Sequence, residues 1–112
     1  MGRNLIWPLA VLLLVSACAS PALRRDCQAR KEKVDHVAAK ADAELRKDLS
    51  TQDVRAILGE PDEIVSSPEV KGMAIWRYYL WPDCKASLGL TAPETKLFFI
   101  KGYLVKWLTI AN

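Results

Sequence analysis

Apolar residues fall along this chain in three different rhythms. Residues 5–15 form one unbroken apolar run, Leu-Ile-Trp-Pro-Leu-Ala-Val-Leu-Leu-Leu-Val. From 26 to 48 the chain is highly charged and lacks glycine and proline, while Val34, Val37, Ala38, Ala41 and Leu45 recur at three- and four-residue steps. That spacing lines one face of a helix. The stripe is narrow and rich in alanine, so a largely solvated helix with one thin contact face is expected. Beyond residue 72 the segments 73–81, 96–100 and 103–110 are rich in aromatic and β-branched residues and read as strands. Lys101-Gly102 joins the last two as a two-residue hairpin, with glycine where a positive φ is needed. Residues 62–67 lead into the first long strand through the turn 67–72, and 82–93 reads as a loop.

A second helix is marked at both ends. Ser50 offers a hydroxyl to the unpaired amides of the first turn, and Asp53, three residues on, sits near the positive end of the helix dipole. Val54, Ile57 and Leu58 form its apolar stripe, and Leu49 before the cap can pack onto Val54. Gly59 supplies the left-handed residue that closes the helix, and Pro61 prevents continuation. The expected fold class is α+β: two N-terminal helices followed by a three-stranded antiparallel sheet (ααβββ).

Composition narrows the function. With 51% apolar residues in 112, the chain is not disordered and has room for one domain. A net charge of +3, with both signs spread throughout, does not argue for nucleic acid. The apolar run at the front follows Arg3 and ends on small residues, the layout of an export signal, and it is about half the length of a membrane span. Val15-Ser16-Ala17-Cys18 resembles the lipobox of bacterial lipoproteins. The resemblance implies that residues 1–17 are removed and that Cys18 becomes an acylated N-terminus. Ala19 in place of Asp points to the outer membrane rather than to inner-membrane retention. Residues 18–25 would then be a short lipid-anchored tether, and 26–112 the domain, with its charged helix at 26–48 and its core at 49–112. Arg24, Arg25, Arg30, Lys31 and Lys33 outnumber Asp26 and Glu32 beside that anchor, which suits anionic lipid headgroups.

The segment 49–62 (Leu-Ser-Thr-Gln-Asp-Val-Arg-Ala-Ile-Leu-Gly-Glu-Pro-Asp) is followed by Trp76-x-Tyr78 and then by Leu97-x-Phe99, Gly102-x-Leu104 and Trp107. Together these resemble the small outer-membrane lipoprotein family (SmpA/OmlA, BamE-like) over about residues 45–110. The resemblance implies the ααβββ layout and a non-enzymatic interaction or scaffold role. The implied partner is another envelope protein, such as a component of the β-barrel assembly machinery. A periplasmic inhibitor or ligand-binding lipoprotein on the same fold is the alternative.

No catalytic or metal constellation accompanies these motifs. His36 is single, Asp62 and Glu63 alternate to opposite faces of a strand, and the glycines form no phosphate cradle. No cofactor is expected. Lipidation of Cys18 leaves Cys27 and Cys84, an even pair in an oxidising compartment, and a disulfide between them is expected, with two unpaired thiols as the alternative. Alternation assigns Leu97, Phe99, Leu104, Leu108, Trp76 and Tyr78 to the core. It leaves Arg77, Tyr79, Trp81, Phe98, Tyr103 and Trp107 as an aromatic, cation-bearing patch on the other face, the kind of surface that binds a partner. The alternatives are that the charged helix folds over that face, or that a bulge exchanges the two faces.

Overall fold

The computed structural model describes residues 21–111. The chain runs α1 (Pro21–Glu44), α2 (Thr51–Leu58), β1 (Glu63–Ser66), β2 (Met73–Tyr78), α3 (Pro82–Leu88), β3 (Glu94–Ile100) and β4 (Tyr103–Ile110). The four strands form one antiparallel sheet in the order β1-β2-β3-β4. The fold is α+β, and it differs from the expected ααβββ layout in having a third helix and a fourth strand among the described residues.

Both additions have a local cause. The segment 82–88 opens with Pro82 in the first turn and Asp83 near the helix dipole, and it closes on Gly89 in the left-handed conformation (φ 66°). What reads as a loop is a helix of seven residues. Strand β1 is only four residues long, with burial alternating along it, and every one of its residues pairs with β2. The turn between them is pinned by the Ser67 hydroxyl, which accepts from the amides of Glu69 and Val70.

Helix α1 also begins earlier than expected. Pro21, at its first turn, is compatible with a helix start, so 21–25 is helical where an extended tether was expected, and the helix ends at Glu44 rather than 48. Its buried residues are Cys27, Val34, Val37 and Ala41, a single stripe. Asp48, at φ 72°, turns the chain so that Leu49 is buried and Ser50 caps α2. The Asp53 amide donates to Ser50 Oγ (3.2 Å) and the Ser50 amide donates to Asp53 Oδ2 (3.4 Å), a reciprocal pair. Gly59 follows at φ 84°, where a side chain would strain the backbone, and Pro61 comes two residues later.

The sheet buries one face. Val37, Ala41 and Leu45 of the α1 side, with Leu49, Val54 and Leu58 around α2, cover Trp76, Tyr78, Leu97, Phe99 and Leu104. The Tyr78 hydroxyl donates to the Gly59 carbonyl (2.8 Å), tying the end of α2 to β2, and burial pushes that phenol above its ordinary pKa. A second, smaller cluster joins Cys27, Val34, Leu80, Cys84 and Ala92. Within it Cys27 and Cys84 are disulfide-bonded, with their Cα atoms 5.5 Å apart and both side chains fully buried.

Candidate functional site

Register decides which side chains share a face. Trp76 stands opposite Leu97, and Leu97 opposite Trp107, so all three lie on the helix-covered face. The neighbouring rows, Ile75 opposite Phe98 and Phe98 opposite Lys106, lie on the other face. Between Phe99–Leu104 and Phe98–Lys106 the register shifts, leaving Val105 as an extra residue in β4. This bulge reverses the alternation of β4 beyond it. Trp107, expected on the open face, is half-buried and packs against the main core. Leu108, expected in the core, lies on the open face with 36% of its surface exposed.

The open face has no helix. All three helices contribute their buried residues to the inner clusters, so α1 does not fold over the outer side, and no other described element covers it. Toward the β3–β4 hairpin it carries Ile75, Phe98 and Ile100, each half-buried, and the more open Tyr103 (55%), while Leu108 and Ile110 (42%) continue along the edge strand opposite Lys96 and Glu94. The Lys106 ammonium sits 4.8 Å above the centre of the Phe98 ring.

The other end of the same face is ionic. Arg77 forks onto Glu94 through Nε (2.7 Å) and Nη2 (3.2 Å), and its Nη1 reaches Glu63 at 2.5 Å. Its guanidinium also lies 4.6 Å above the Tyr79 ring. The Arg77 hydrogen bond holds the Glu94 carboxyl below the ordinary range against the opposing effect of burial, and the same bond raises Arg77. Both carboxylates are thus paired with one cation.

Of the six expected patch residues, Arg77, Tyr79, Phe98 and Tyr103 share the open face, and Trp107 does not. Trp81 leaves the sheet as well. It precedes α3 and stacks beneath the Arg30 guanidinium, 4.4 Å from the ring centre, on the α1 side.

Arg30 belongs to a node that the sequence pattern did not single out. It forms an ion pair with the nearly buried Asp62, whose other carboxylate oxygen accepts the Tyr79 amide at 2.9 Å. Burial lowers the Arg30 pKa, and its Nε is buried without a partner among the described residues. Arg30 lies one turn beyond Cys27, so the disulfide fastens the first half of α1 to α3 while the ion pair fastens it to the end of the sheet where β1 begins. The five cations expected to face lipid headgroups are therefore not equivalent. Arg30 is committed to Asp62, Lys31 pairs with Asp35 (2.8 Å), and Lys33 reaches the Glu60 carbonyl (3.5 Å). Arg24 and Arg25 are exposed and make no ion pair among the described residues.

Cys18 and the segment 1–17 lie outside the described residues. Among the described residues no three His, Cys, Asp or Glu side chains come together as a metal site, and no helix is long and apolar enough to cross a membrane. No family model, curated protein or solved structure matches this chain.

Proposed function

We propose that this protein is a non-enzymatic lipoprotein of the outer membrane, anchored through Cys18, that acts as an interaction or scaffold module. In this reading it resembles the accessory subunits of β-barrel assembly machinery. The observation that carries the reading is the open sheet face: it presents Ile75, Phe98, Ile100, Tyr103, Leu108 and Ile110 beside its charged residues, with helices on the other side only. An exposed apolar surface with an ion-paired end is what a protein partner would cover.

The direction of α1 supports a protein partner over the bilayer. Pro21 lies three residues past Cys18, and the first half of α1 is fastened at the ionic end of the sheet. A 24-residue helix is roughly 36 Å long. Its far end leads to Leu49 and Ser50, which pair with the β3–β4 hairpin. The cluster of Ile75, Phe98, Ile100 and Tyr103 is therefore at the end remote from the anchor, and Arg24 and Arg25 are the cations left beside the membrane.

Fractionation and capture test this. Cys18→Ala should leave the protein soluble in the periplasm or as unprocessed precursor, whereas the unaltered protein floats with outer membranes. Capture from solubilised membranes should recover β-barrel assembly components. Normal processing and flotation of the Cys18→Ala protein would refute the anchor. Recovery of a single soluble enzyme in place of membrane components would favour the inhibitor alternative.

A further inference from the structure

Strand β4 is an edge of the sheet, and its outer side is closed for only half its length. The amide of Asp48 donates to the Leu104 carbonyl (2.8 Å), the Leu104 amide to the Leu49 carbonyl (2.8 Å), and the Thr51 amide to the Gly102 carbonyl (3.2 Å). Past the bulge no described residue pairs with that edge, and Lys106, Leu108, Thr109 and Ile110 are all exposed. Leu104, opposite Phe99, turns its backbone groups outward, and Trp107 and Thr109, opposite Leu97 and Thr95 on the same alternation, do likewise. Unpaired edge groups of this kind are a template for another strand.

We propose that two copies of this chain pair edge to edge, antiparallel, through residues 106–110 of β4. A twofold axis at Leu108 sets Leu108 against its own copy, Lys106 against Ile110, and Trp107 against Thr109. This register uses the whole open stretch, opposes no like charges, and stops short of the part of β4 already paired with 48–51. Moving the axis to Lys106 would oppose two ammonium groups. Moving it to Trp107 would bring Ile110 onto the occupied backbone of Leu104. In the chosen register Trp107 and Thr109 exchange main-chain hydrogen bonds with their partners.

The opposite edge explains why association stops at two. Strand β1 has four residues, stands between Pro61 and Pro68, and carries Glu63, which is held by Arg77. Short length, flanking prolines and charge all blunt an edge. One open edge per chain gives a closed, isologous dimer rather than a fibre. The open faces of the two sheets become one continuous surface, with Leu108 and Ile110 at its centre.

The test uses the full chain purified in detergent, followed by sedimentation across a concentration series. The parent chain should dimerise, and Leu108→Lys should weaken the dimer by about tenfold or more, with secondary structure and melting unchanged. Leu108→Cys should give a covalent dimer on mild oxidation, beyond any background in the parent, and Ser66→Cys on the β1 edge should not. A parent chain that stays monomeric at every concentration overturns the proposal. So does a dimer indifferent to Leu108→Lys, or cross-linking as efficient from Ser66→Cys as from Leu108→Cys. None of these readouts needs a membrane or a second protein, so failure here is separable from failure of the anchoring or docking reading.

Discussion

The two faces of the sheet both carry large apolar residues and have opposite fates. Phe99 and Phe98 are adjacent in β3, yet Phe99 is buried against Trp76 with ring centres 4.6 Å apart, and Phe98 carries only a lysine over its ring. Hydrophobicity alone therefore does not identify the core of this protein. The core is wherever helices α1 and α2 lie, and those helices have one apolar stripe each, enough for a single face. The second apolar face is surplus to folding, which is why it invites a functional explanation.

The sharpest way to break that comparison is to truncate the two phenylalanines separately. Phe99→Ala should cost about 3–5 kcal/mol in urea unfolding, the range for emptying a buried aromatic site. Phe98→Ala, at a half-buried site open on one side, should cost clearly less, about 1–2 kcal/mol. Equal losses would mean that the outer face is covered in solution.

Next in size is the disulfide. Replacing Cys27 and Cys84 by serine together releases a loop closed across a separation of 57 residues, which the chain-entropy model values at about 4 kcal/mol. The loss should be local. Hydrogen exchange should accelerate in the first half of α1, where the smaller cluster holds it, and change far less in β3.

The bulge predicts an asymmetry between neighbours in β4. Trp107→Ala should lower stability by about 2 kcal/mol, a half-buried fraction of the usual aromatic cost, and Leu108→Ala should leave melting nearly unchanged. The reverse order would restore the unbulged register.

The smallest effect is electrostatic. Glu94 is held below its ordinary pKa by Arg77, so its contribution is fully present above the unfolded value, about 4.3, and is lost as pH falls from there through the folded value. Glu94→Gln should therefore flatten the acid limb of a plot of urea midpoint against pH and leave its neutral-to-basic part parallel to that of the parent.

Helix α2 was legible because its chemistry is local, whereas the seven residues of α3, with no side-chain cap and no apolar stripe of their own, read as a loop. Ser50, Asp53, Gly59 and Pro61 state the start and stop of α2 within twelve residues, and the reciprocal cap follows from side-chain reach alone. The faces of β3 and β2 were legible because period-two alternation holds through both. Strand β4 was not, because one extra residue reverses everything after it, and either parity leaves an apolar inner face. A sign was nevertheless present: without a bulge Lys106 would point into the core beside Leu104, an uncompensated buried charge. The Arg30–Asp62 pair was illegible for a different reason. Its members lie thirty-two positions apart, and only the packing of α1 on the sheet brings them together.

The claim that the open face is a docking surface is tested most directly by one altered protein, Tyr103→Ala, read for melting and for capture of membrane components in the same preparation. The account predicts an essentially unchanged melting temperature with capture lost, since Tyr103 is 55% exposed. A melting temperature lower by several degrees, with capture retained by the folded fraction, would contradict it and make Tyr103 part of the core.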